Sequence, residues 1–157
     1  MSPLPPGQRG MNFEEFEPGQ SIETVGRTIT ETDIVSFAGS SGDFNQIHMD
    51  KEFGKSTGFG RRAAHGLLGL SVASGLAFQT GFMEGTIMAL REIKDWRFKL
   101  PIFIGDTVRV HLDVLSKKAF PRLGGGLVTM QLTLLNQDDK AVQKGEWVAL
   151  IASADGT

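Results

Sequence analysis

With 157 residues, the chain is long enough for one compact domain and short for two. Its 40% hydrophobic and 22% charged residues are those of an ordinary globular protein, which excludes disordered and fibrous classes for most of the length. The 16 Lys and Arg against 18 Asp and Glu form no long run of one sign, which argues against nucleic acid as a partner, and the absence of cysteine excludes disulfides, thiolate metal sites and a cysteine nucleophile.

The Pro- and Gly-rich start, residues 1–12, reads as a flexible lead-in without the apolar stretch of a secretory signal, so residues 13–157 are left as a single domain with the cytoplasm as its expected place. After Pro18 and Gly19, the β-favouring Ile22, Thr24, Thr28 and Thr30 predict a short first strand. Thr32 reads as the N-cap of a helix through Ile34, Val35, Phe37 and Ala38 that stops near Ser41, where Gly42 follows. From Gly42 to Arg62 neither period persists, and the segment reads as a long ordered loop with about one turn of helix. Loops of that length in compact domains are commonly functional.

His65 or Gly66 opens the most apolar helix. Residues 66–83 carry no formal charge, but four glycines with Ser71, Ser74, Gln79 and Thr80 dilute the apolar residues, so a buried core helix is predicted and no membrane span. Downstream the period becomes two. Trp96, Phe98 and Leu100 alternate with Asp95, Arg97 and Lys99 as one buried strand face requires; Val108 to Val114 and Val128 to Leu134 repeat the pattern. Asn136 to Asp139 form a polar turn before a last strand within Ala141 to Ile151. The class is α+β: an antiparallel sheet wrapped around one long central helix. A single sheet leaves exposed edges, so a homodimer or a multiple of it is expected.

Asp43 and His48 are the one close acid/base pair beside glycines. On a regular helix five steps of ~100° set them ~140° apart, so they meet over one water only if the backbone between them turns. The residues alone admit a second reading, with Asp43 and Asn45 as turn formers and His48 as a structural histidine. Asp50 reads as the cap before Lys51 and Glu52. At Ala64, His65 and Gly66, the free amides of a helix start favour negative charge; an oxygen gaining charge could sit on the Gly66 amide, or Gly66 is an ordinary small packing residue. His65 is open between the same two roles. His48, His65 and His111 lack zinc-ligand spacing, so no metal is predicted. Ser40 and Ser41 lack a nucleophile elbow, and Gly124 to Gly126 read as a bend between strands rather than a phosphate loop.

FAGSSGDFNQIH, from Phe37 to His48, resembles the signature of R-specific enoyl-CoA hydratases and MaoC-like dehydratases, and FGRRAAHG, from Phe59 to Gly66, resembles the segment that follows it. SKK at Ser116–Lys118 and NQDD at Asn136–Asp139 resemble later strands, so the likeness runs from about Phe16 to Ala152. It implies a hot-dog fold in which Asp43 and His48 hold a catalytic water, Asn45 orients the loop and the Gly66 amide supports a thioester oxygen. The implied reaction is reversible hydration of a trans-2-enoyl-CoA to the R-3-hydroxyacyl product, with coenzyme A as part of the substrate and no separate cofactor. Arg61, Lys117 and Arg122 are candidates for its phosphates, or solvated surface charges. An acyl pocket is expected between the long helix, the loop around Phe53 to Phe59 and a partner subunit. Two departures stand out: the family usually has proline at Gln46, and commonly alanine or serine at Gly54. A hot-dog thioesterase and a non-catalytic acyl-binding subunit are the competing functions.

Overall fold

The computed structural model describes residues 2–3 and 9–155. Half of the predicted lead-in, residues 1 and 4–8, lies outside them. Of its described part, Ser2–Pro3 (β1) runs parallel to Gln20–Glu23 (β2), and Met11 is buried with its amide donating to the Phe82 carbonyl at 2.8 Å. Residues 9–12 therefore belong to the packed body, because Met11 supplies apolar surface that the core takes up.

The single first strand predicted after Gly19 is two pieces, β2 and Arg27–Thr28 (β3), both antiparallel to Thr107–Phe120 (β5). Thr24 separates them: its amide donates to the Val110 carbonyl at 3.0 Å, and its hydroxyl accepts the Val110 amide at 2.9 Å. A side chain thus stands in for one rung of the ladder. Helix α1 (Glu31–Ser41) is capped by Thr30 and not by Thr32. Thr30 has an acid three residues on, so the two cap reciprocally: Thr30 Oγ1 accepts the Asp33 amide at 3.3 Å and Asp33 Oδ2 accepts the Thr30 amide at 2.8 Å.

Two short helices, α2 (Gln46–Met49) and α3 (Lys51–Ser56), occupy what reads as loop, and α4 (Gly66–Gln79) starts where predicted. Asp50 caps α3, its Oδ1 accepting the Glu52 and Phe53 amides. The strands β4 (Ile87–Phe98), β5, β6 (Gly125–Leu135) and β7 (Ala141–Ala152) complete a seven-stranded sheet of order β1-β2-β5-β6-β7-β4, with β3 beside β5. Leu68, Val72, Ala73, Leu76 and Ala77 of α4 share one core with Val108, Val110, Leu112 and Val114 of β5 and Val128, Met130, Leu132 and Leu134 of β6. Each fully buried Val, Leu or Met contributes about 1.5–3 kcal/mol relative to an exposed one, and the alternation places nearly every second residue there.

The alternation at Trp96, Phe98 and Leu100 does not mark a buried face. Strand β4 begins at Ile87 and among the described residues pairs only with β7; Phe98 at its end and Leu100 beyond it are 55% and 43% exposed. Asp95 adopts a left-handed backbone, with φ of 50°, where the register shifts between Lys94 and Arg97, so the pattern spans a bulge at a sheet edge. Of the three glycines read as a bend, Gly124 is left-handed while Gly125 and Gly126 already belong to β6. No helix among the described residues is long and apolar enough to cross a membrane.

Candidate active site

Gly42 ends α1 in the left-handed conformation, its amide donating to the Ala38 carbonyl at 2.8 Å, and this turn delivers Asp43 to the head of the next segment. Ser41 Oγ accepts the Asp43 amide at 3.2 Å and donates to the Phe37 carbonyl at 2.7 Å. Asp43 Oδ1 accepts the Asn45 amide at 3.2 Å, and Asn45 Oδ1 in turn caps α2 by accepting the Ile47 amide at 3.2 Å. Gln46 is the first residue of α2, the position where proline is most favoured, so the family's usual proline and this glutamine fit the same backbone. The chain between Asp43 and His48 is therefore bent by two successive side-chain caps.

His48 is buried, and its Nδ1 lies 2.7 Å from the Ala63 carbonyl. A carbonyl only accepts, so Nδ1 carries a proton, and in the neutral tautomer with that proton the Nε2 lone pair is left free. That lone pair stands 4.0 Å from Oδ2 of Asp43, whose side chain is half exposed. Two acceptors at this separation cannot bond each other. One water donating to both fits, because two hydrogen bonds of ~2.8 Å meeting at the water's own angle span ~4.4 Å.

His65, the residue before α4, makes no capping bond. Its Nε2 lies 2.8 Å from the backbone carbonyl of Asp43, and its ring stacks on His48 with centroids 3.8 Å apart and planes 28° apart. Gly66 opens α4, and no backbone carbonyl among the described residues accepts its amide. The Gly66 carbonyl accepts from buried Gln143 of β7 at 2.9 Å, while Gln143 accepts from Trp96 Nε1 at 3.1 Å. A Cβ on Gly69 would collide with the Gln143 amide nitrogen, so this polar bridge through the core exists because Gly69 has none.

An open cleft of about 450 Å³ is lined by Ile47, His48, Phe59, Ala63, Ala64, Gly66 and the run from Phe98 to Pro101. The expected pocket is thus shifted. Phe59 borders it and Phe53 does not; α4 contributes only Gly66, and the end of β4 supplies a wall that the sequence did not reveal. The sequence leaves His65 open between a structural and a functional role and misses Gln143. The signals were present, since Gln143 is the lone polar residue on the inward side of a run that continues with Gly145, Trp147, Ala149 and Ile151.

Of the three cations considered for phosphates, Arg61 lies 3.8 Å from the centroid of the Phe103 ring, and Phe103 meets Phe59 of the cleft edge-on at 6.3 Å. Arg61 also lines a second depression of about 520 Å³ with Lys51, Lys55, Arg62 and Glu31. Lys117 is engaged elsewhere, donating to Glu17 at 2.9 Å and to the Glu14 carbonyl at 3.1 Å, and Arg122 sits in the Pro121–Leu123 turn, none of which lines the cleft. Possible ligand atoms of Asp43, His48 and His65 all lie within 4.8 Å of one another. One nitrogen of each ring is already bonded to a carbonyl, the Ala63 carbonyl for His48 and the Asp43 carbonyl for His65.

The MaoC-like domain family matches residues 13–134. The chain is 42% identical over 105 residues to Protein MaoC of Klebsiella aerogenes, covering 67% of this chain but only 31% of that protein. It is 34% identical over 106 residues to the (R)-specific enoyl-CoA hydratase of Aeromonas caviae, covering 68% of this chain and 76% of that one. Among solved structures, it superposes on an R-hydratase of Pseudomonas aeruginosa with a TM-score of 0.76 at 32% identity, covering 92% and 87% of the two chains. A double hot-dog protein of Mycobacterium tuberculosis superposes with a TM-score of 0.82 at 22% identity over 94% of this chain and 46% of that one, a likeness of fold alone. The sheet wrapped on α4 is a hot-dog fold, and the chain belongs to the MaoC-like domain family.

Proposed function

We propose that the protein is a hydro-lyase that adds water reversibly across the double bond of a trans-2-enoyl-CoA, giving the R-3-hydroxyacyl thioester. The observation that carries this reading is the 4.0 Å gap between Asp43 Oδ2 and His48 Nε2, two acceptors aimed at one water position, with His48 and Gly66 lining the same cleft. Relatives named as an (R)-specific enoyl-CoA hydratase and a 3-hydroxybutyryl-CoA dehydratase support it.

In this mechanism the bridging water attacks C3 as one member of the pair takes its proton, and the pair returns a proton at C2. Charge gathers meanwhile on the thioester oxygen. The Gly66 amide donates to that oxygen at the N-terminal end of α4, where the helix dipole favours negative charge. Asn45 acts through the backbone by holding the bend that sets the gap. The apolar cleft from Phe59 to Leu100 receives the acyl chain, and Arg61 is the cation assigned to the coenzyme A phosphates. The working unit in this reading is a homodimer joined through the open edge at β4.

Purified protein should bleach the ultraviolet absorbance of a conjugated enoyl-CoA without releasing free thiol. Thiol release instead would identify a thioesterase, and no change with any enoyl-CoA would leave an acyl-binding subunit. Asp43→Asn keeps the shape but removes a proton-transfer group, and should lower the rate by ~100- to 10,000-fold.

A further inference from the structure

His65 is 2% exposed, and the pair chemistry does not use it. As the residue before α4 it offers the helix no capping bond, although Ser, Thr, Asp or Asn would provide one there, so its identity is not explained by helix stability. Its contacts run to the pair instead. Nε2 meets the carbonyl of Asp43 at 2.8 Å, the ring lies face to face with His48 at 3.8 Å, and Phe37 packs against it with centroids 5.0 Å apart. Among the described residues, nothing hydrogen-bonds its buried Nδ1.

The Asp43 carbonyl can only accept, so Nε2 must carry the proton, and the neutral ring leaves Nδ1 bare. A buried nitrogen without a partner weakens the fold, so the ring stays for what its other side does. Its side chain joins the main chain of Asp43 to the ring of His48. The two reacting groups come from different elements, the turn after α1 and helix α2, and their separation depends on a clamp between them.

We infer that His65 is a positioning residue for the Asp43–His48 pair, a neutral Nε2–H imidazole that fixes the Asp43 main chain by hydrogen bonding and the plane of His48 by stacking. This rests on the hydratase reading. The test separates the two contacts: His65→Gln retains an N–H near the position of Nε2 without the ring, and His65→Phe retains a flat ring without the donor. Loss of the donor lets Asp43 drift, and misplacement by about 1 Å costs ~100-fold in kcat with KM little changed, so His65→Phe should show that loss and His65→Gln should recover much of it.

Equal losses of kcat in both variants in step with falling thermal stability, or wild-type kcat in His65→Phe, would overturn the inference. A readout independent of turnover is the nitrogen-15 spectrum of histidine-labelled wild-type protein. His65 should show a protonated Nε2 and a bare Nδ1, and the opposite tautomer would refute the assignment even if both variants failed to fold. If wild-type protein hydrates no enoyl-CoA, the hydratase reading fails by itself, and the tautomer then decides this inference.

Discussion

At Gly54 the family's common alanine or serine has been reduced to nothing, and the neighbouring backbone shows why. A Cβ there would lie 2.7 Å from the Arg62 amide nitrogen and 2.9 Å from the Arg61 carbonyl carbon, main-chain atoms that cannot swing aside. The segment so closely approached continues to Ala63, whose carbonyl fixes the His48 ring, and includes Phe59 on the cleft wall. Gly54→Ala should therefore destabilise by ~1–3 kcal/mol in urea denaturation and also lower kcat, because the displaced backbone carries the partner of Nδ1. Unchanged turnover in a destabilised variant would show that the segment moves without taking His48 with it.

At the scale of elements, β2 is held to β5 by charge as well as by its ladder. Arg109 donates to Glu23 at 2.6 Å and to Asp139 at 2.6 Å, and His111 lies 3.2 Å from the other Glu23 oxygen. The hydrogen bond from Arg109, with a smaller one from His111, holds the Glu23 carboxyl below its ordinary value of 4.5 against the opposing effect of burial. The folded chain then binds fewer protons than the unfolded one, so this contribution is complete above the ordinary glutamate value and is lost as pH falls through the depressed one. The groups are half exposed, which limits the effect to ~0.2–1 kcal/mol. Arg109→Gln should flatten the acid side of the stability profile by that amount, measured by urea denaturation from neutral pH into the acid range.

Elements with one strong pattern were legible in the sequence: α4 began where its apolar run began, β5 and β6 followed their alternation, and β7 was marked by Trp147, Val148, Leu150 and Ile151. The pairing of Asp43 with a nearby histidine was legible as a requirement for a bend, and the caps at Gly42 and Asn45 supply it. What stayed hidden depended on distance along the chain. His48 and His65 are 17 positions apart and stack only because Ala63 bonds back to both Ile47 and His48, a closure that no local period records. Likewise β4 looked half buried because alternation reports two faces without saying what covers them. Its start at Ile87 escaped because Ile87 to Ile93 lacks a clean period of two.

For the molecule as a whole, β4 is the unfinished part. Among the described residues no strand lies beyond its outer edge, and Ile87, Met88, Leu90, Ile93 and Phe98 are all at least 36% exposed. An uncovered apolar edge of this length invites another strand, which is the basis for the proposed dimer. Leu90→Glu with Ile93→Glu should halve the mass seen by light scattering while leaving the far-ultraviolet dichroism intact; a monomeric wild-type protein would rule out the dimer.

The strand with that open edge also ends in Phe98, and the next three residues complete the wall of the cleft. In the proposed dimer, assembly and substrate choice are written on the same ribbon of chain. A substitution far from any acyl group, made only to loosen subunit contact, tilts the surface against which that group lies. Changes in quaternary structure among relatives should therefore travel with changes in the thioesters they prefer.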